Sequence, residues 1–166
     1  MIIVLLFKIL LIFIFNVLHC DLKIFSYKYY RYGNNLHWYV PSGSKSWFEK
    51  IGISCRNIID MTWWSEAKHI FDKNCAKIIY TPANHHSRRT LFDYQKALWG
   101  SWVVIGANGS KFWFGGDTAY SDVFQQIGKR YGPFDLSAIP IGKLIDYDFF
   151  TLVLSLYDIL LIHRSL

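Results

Sequence analysis

His85 and Asp117 are the side chains of this sequence best placed to do chemistry. His85 ends Lys77-Ile78-Ile79-Tyr80-Thr81-Pro82-Ala83-Asn84-His85 and is followed by His86-Ser87-Arg88-Arg89. Asp117 lies in Phe112-Trp113-Phe114-Gly115-Gly116-Asp117-Thr118-Ala119-Tyr120. Each polar cluster closes an apolar, strand-like run, and a third run, Leu98-Trp99-Gly100-Ser101-Trp102, carries what reads as a Gly-Ser turn. A side chain at a strand end is held by the sheet yet faces open space. An imidazole and a carboxylate presented this way suit zinc or a similar cation. On the residues alone, a His beside a strand end is more often not a ligand, and an Asp after Gly-Gly serves equally as a turn residue.

The elements that must position these residues are mostly strands. His37-Trp38-Tyr39-Val40 reads as a short strand closed by Pro41, and Asn57 to Met61 as a second. Between them Ser44 to Ile51 forms a short helix with Trp47, Phe48 and Ile51 on one face. Trp63-Trp64 reads as packing rather than a ligand platform. Lys77 to Thr81 is a third strand, stopped by Pro82. Ala97 to Ile105 and Lys111 to Phe114 flank Asn108-Gly109, the strongest short-range hairpin signal. The tight turn accounts for Asn108-Gly109-Ser110, which also matches a glycosylation sequon. Ser121 caps a helix through Tyr131, with Val123, Phe124, Ile127 and Tyr131 on its buried side. Asp135 to Ile141 returns as a strand, so the order is an α/β layered pattern.

At 166 residues the chain holds one domain at most. A hydrophobic fraction of 52% and an aromatic fraction of 19% exclude disorder as the dominant state. A net charge of +6 favours acidic partners such as phospholipid headgroups, with a lysine-rich solvated surface as the bland reading. No basic run or aromatic RNA-binding signature accompanies it, so nucleic acid is not an expected partner. Cys20, Cys55 and Cys75 contain no C-x-x-C, and reduced, buried thiols of an intracellular protein are expected. Met1 to Leu18 is apolar, broken by Lys8 and Asn16, and near the lower limit for a bilayer span of about 17–25 residues. It reads as a signal-anchor, an uncleaved signal peptide, or residues foreign to the domain. Composition changes abruptly at Asp21, and Phe25 to Tyr32 is aromatic and basic before the turn signal Gly33-Asn34-Asn35.

Several ordered stretches resemble one family: Arg31-Tyr32-Gly33-Asn34-Asn35-Leu36-His37-Trp38-Tyr39-Val40-Pro41, Leu98-Trp99-Gly100-Ser101-Trp102, Gly116-Asp117-Thr118, Ile127-Gly128-Lys129-Arg130-Tyr131-Gly132-Pro133-Phe134-Asp135-Leu136 and Ala138-Ile139-Pro140-Ile141-Gly142. They are similar to the N-acyl-phosphatidylethanolamine-hydrolysing phospholipase D family of the metallo-β-lactamase fold. The resemblance covers Leu22 to Gly142, leaving an apolar segment over residues 1–20 and an apolar tail over 143–166. It implies an αββα sandwich with two zinc ions at one edge of the sheets. It also implies a phospholipid substrate met at an intracellular membrane surface, and a homodimer. His85 matches the family's histidine ligand on the middle strand, and Asp117 its metal-bridging, catalytic aspartate. His86, Arg88 and Arg89 are assigned surface or supporting roles.

The departures are as informative. The family's H-x-H-x-D-H signature, due before Phe25, does not occur in this sequence, and neither His37 nor His69 has its spacing. The family's final zinc-ligand histidine, due after Ile139-Pro140-Ile141-Gly142, is not matched: Lys143 to Asp148 and the apolar run Phe149 to Ile162, broken by Asp158, follow, and the only later histidine, His163, has no family motif around it. The expectation is therefore an incomplete sandwich and an inactive fragment. A truncated or misassembled gene product accounts for it most simply, and a degenerate paralogue second. A membrane-anchored, non-catalytic lipid-binding or interaction protein is the alternative. The fold should bring His85 and Asp117 close together, leave a sheet edge open, and place poorly packed helices at both apolar ends.

Overall fold

The structure, a computed structural model, describes residues 36–71, 73–85 and 97–139. The two apolar ends, the Phe25–Tyr32 segment and Cys20 lie outside the described residues, so the expectations made for them do too. Among the described residues no helix is long and apolar enough to cross a membrane. The chain divides into two compact units, each built from a sheet and a helix.

In the smaller unit, β1 (Trp38–Pro41) and β2 (Ile58–Met61) pair in parallel, with Trp38 opposite Ile58 and Pro41 opposite Met61. Parallel neighbours require a crossover. Here α1 (Lys45–Lys50) and a 3-10 turn at Cys55–Asn57 supply it. Gly43 opens the crossover at φ 88°, a left-handed conformation that a side chain would strain. The helix is too short to be stable alone, so its apolar face holds it in place. Phe48 is buried against Trp38 at 5.7 Å between rings, and Trp47 meets Phe48 edge-on at 5.1 Å. Val40, Ile53 and Ile58 complete this core.

The larger unit is a five-stranded sheet in the order β3-β4-β5-β6-β7. Its strands are β3 (Glu66–Phe71), β4 (Asn74–Pro82), β5 (Gly100–Ile105), β6 (Lys111–Phe114) and β7 (Leu136–Ala138). The first four are antiparallel neighbours, and β7 returns parallel to β6 after α2 (Val123–Tyr131). Ile79, Val103 and Trp113 are in register across β4, β5 and β6 and pack with Phe124 and Ile127 of α2. Burying each such side chain contributes about 1.5–3 kcal/mol. On the opposite face Ala76, Ile78, Tyr80, Trp102, Val104 and Phe112 are buried as well. Strands covered on both sides need no polar alternation, which explains the unbroken apolar runs Ile78-Ile79-Tyr80 and Trp102-Val103-Val104.

The hairpin, the four other anticipated strands and the helix faces are present, the last strand as Leu136–Ala138, with four corrections. Glu66–Phe71 is a strand that the pattern does not announce, and it lengthens β4 back to Asn74 by pairing with it. Gly100 and Ser101 are buried strand residues, not a turn. Gly100 faces Pro82 in register, and a Cβ there would run into the Thr81 carbonyl and the Tyr80 ring. Asp122 occupies the cap position of α2, while the Ser121 hydroxyl lies 3.5 Å from the Val123 amide. Cys55 and Cys75 are free, as expected, but exposed rather than buried. The sheet's outer strands among the described residues, β3 and β7, carry its exposed apolar side chains, Ile70 and Leu136.

Candidate metal centre

Strand direction brings the two candidate ligands to one end of the sheet. β4 and β6 are each antiparallel to β5, so they run the same way and finish at the same end of the sheet, one on either side of β5, at Pro82 and Phe114. Ala83-Asn84-His85 continues from the first and Gly115-Gly116-Asp117-Thr118 from the second. Gly116 turns its segment at φ 64°, where a Cβ would be strained. His85 is half-buried and Asp117 is exposed.

Beyond the strand ends the two segments are tied to one another. Asn84 and Ala119 form an isolated antiparallel bridge, the Ala119 amide donating to the Asn84 carbonyl at 2.9 Å. The Asn84 amide donates to Thr118 Oγ1 at 2.9 Å, and that hydroxyl donates to the Ala119 carbonyl at 2.9 Å. Asn84 Nδ2 donates to the Tyr120 carbonyl at 3.1 Å. The residue before His85 is thus bonded to the three residues after Asp117.

A buried polar group anchors the strand ends from within the larger unit. Thr81 and Ser101 hydroxyls lie 2.7 Å apart, Ser101 Oγ donates to the Pro82 carbonyl at 3.1 Å, and Trp113 Nε1 donates to Ser101 Oγ at 3.2 Å. Ser101 has one proton, given to Pro82, so Thr81 is the donor in the remaining pair. Every polar atom of Ser101 is thereby satisfied in a site closed to water. Trp63 and Trp64 pack, as expected of them. Trp63 meets Trp99 edge-on and bonds its carbonyl at 2.6 Å, and Arg130 lies 4.1 Å above the Trp64 ring.

Asn84, Thr118 and Ser101 are the residues sequence reasoning missed. Only the Thr of Gly-Asp-Thr carried a signal, because hydroxyl and amide side chains in loops are common. His86, Arg88 and Arg89 lie outside the described residues. One imidazole and one carboxylate fit part of a zinc donor set. Among the described residues no three His, Cys, Asp or Glu side chains gather to complete it.

This architecture has known counterparts. A metallo hydrolase from the archaeon Ignicoccus hospitalis, Igni18, superposes with a TM-score of 0.60 at 18% identity, covering 84% of this chain and 52% of that one. An isothiocyanate hydrolase from Delia radicum gut bacteria gives 0.57 at 17% identity, covering 79% and 49%. Both likenesses speak to the fold, the α/β metallo-β-lactamase fold that the resemblance implied. The sequence profile of the beta-lactamase superfamily domain matches residues 20–158, and the chain belongs to that superfamily. It is 39% identical over 111 residues to N-acyl-phosphatidylethanolamine-hydrolyzing phospholipase D 1 of Caenorhabditis elegans, covering 64% of this chain and 31% of the relative. It is 32% identical over 127 residues to the mitochondrial protein of that name from Saccharomyces cerevisiae, covering 75% and 26%. The chain therefore spans about a third or less of the length of these relatives.

Proposed function

We propose that this chain is part of a zinc-dependent phosphodiesterase of the phospholipase D type. Its reaction is hydrolysis of N-acyl-phosphatidylethanolamine to phosphatidic acid and an N-acylethanolamine. The observation that carries the reading is the tie between the strand ends, which sets an imidazole and a carboxylate on adjoining segments. The names of the two relatives support the substrate. His85 and Asp117 would hold the metal, which when bound supplies Lewis-acid activation of a phosphodiester. The chain's own part is positioning: β4 and β6 deliver the two donors to one sheet end, and the Asn84 bonds keep them there. A net charge of +6 favours work at an anionic membrane surface as a peripherally associated intracellular protein.

Two donors hold zinc weakly, because catalytic sites supply three protein ligands per ion. Transition-state stabilisation depends on preorganised charge, so a partial ligand set does not give partial catalysis. Purified chain with added zinc should release no N-acylethanolamine, whereas a longer chain that also carries H-x-H-x-D-H and the final histidine should. Turnover by the present chain that is lost in Asp117→Asn refutes the incompleteness. Silence of the longer chain refutes the activity and favours a non-catalytic lipid-binding role.

A further inference from the structure

We infer that Asn84 and Thr118 are positioning residues that close the gap between the His85 and Asp117 segments so that both can reach one metal ion. The inference rests on the ligand reading of His85 and Asp117. Within the sheet, β4 and β6 are separated by β5. Neighbouring strands lie about 4.8 Å apart, so segments that simply continued β4 and β6 would run roughly 10 Å from each other. Zinc holds its nitrogen and oxygen ligands at about 2.0–2.2 Å, which brings two donors on one ion to within about 4 Å. Side chains can span much of that gap, so what the ladder leaves unset is the separation and angle at which the two segments present their ligands.

The Asn84–Ala119 bridge removes the intervening strand and makes the two segments direct neighbours. Thr118 makes that closure specific. Its side chain is 2% exposed, and its hydroxyl is used in both directions, accepting from the Asn84 amide and donating to the Ala119 carbonyl. Thr118 is also the residue next to Asp117, and Asn84 the residue next to His85, so any slip in the tie passes directly to a ligand. The Asn84 carboxamide adds a third bond, to Tyr120. Thr118→Val keeps the shape of the side chain but leaves the Asn84 amide without its acceptor. Thr118→Ser keeps the hydroxyl. The backbone bond between Ala119 and Asn84 survives in both, so the sheet is retained.

The test is zinc affinity of the full chain, measured by competition with a chromophoric chelator over a millimolar range, with urea unfolding in parallel. Supporting groups around a metal site change affinity by about 10–100-fold, so Thr118→Val should weaken zinc about 10-fold and Thr118→Ser by no more than about twofold. Val103→Ala, a cavity in the core away from the tie, controls for lost stability and should leave affinity unchanged. The inference is overturned if Thr118→Val binds zinc as the parent does, or if Val103→Ala loses as much affinity at equal destabilisation. His85→Ala separates the two readings. Loss of zinc in His85→Ala with none in Thr118→Val removes the positioning role alone, and unchanged zinc in His85→Ala removes the ligand assignment and the positioning role with it.

Discussion

Removing the Ser101 hydroxyl should cost far more than one surface hydrogen bond. Ser101→Ala deletes the acceptor used by Trp113 Nε1 and Thr81 Oγ1 and the donor to the Pro82 carbonyl, at a position with no solvent exposure. Trp113 and Thr81 are equally closed to water, so neither donor regains a partner. A buried donor left unsatisfied costs about 1–3 kcal/mol, which gives a loss of roughly 2–6 kcal/mol for the pair. Thr81→Val alone should cost about 1 kcal/mol, since Ser101 keeps its other two partners. In the double variant the stranded Thr81 proton no longer exists, so the combined loss should fall short of the sum by about 1 kcal/mol. Urea unfolding of the parent, both singles and the double measures all four. Strict additivity, or a Ser101→Ala loss below about 0.5 kcal/mol, refutes the network.

The other expected outcomes concern packing and pH. Gly100→Ala forces a methyl between the Tyr80 ring and the Thr81 carbonyl and should destabilise by about 1–3 kcal/mol, read from the urea midpoint. An unchanged midpoint would show that the two strands are not packed this closely. Burial raises the Tyr131 pKa first, the Glu66 charge and its 3.3 Å hydrogen bond raise it further, and Arg130 opposes both. Burial also pushes Tyr80 up. Raised folded values mean that the native state keeps protons the unfolded chain has lost, so stability is complete below about pH 10 and falls as pH rises above it. Tyrosinate absorbance should show Glu66→Gln bringing one late-titrating group to lower pH, and no such shift would remove Glu66 as a cause.

Much of this protein is written locally. Asn108-Gly109 specifies the β5–β6 turn, where Gly109 takes φ 83°. The spacing of Phe124 and Ile127 defines the face that α2 buries. His85 and Asp117 stand out in the sequence as candidates because each follows an apolar run. β3 was not legible, because Glu66-Ala67-Lys68-His69-Ile70 alternates weakly and becomes a strand only when β4 supplies hydrogen bonds along one side. Gly100-Ser101 misled for a related reason. Gly and Ser favour turns when nothing else constrains them, but here the Tyr80 ring needs the missing Cβ and Trp113 needs the hydroxyl. The tie from Asn84 to Thr118 spans 34 residues of sequence. Residue types and short-range spacing determined which groups could bind a metal. Which of them meet was decided by the directions of β4 and β6, because only hydrogen-bonded strands carry segments so distant in sequence to the same end of a sheet.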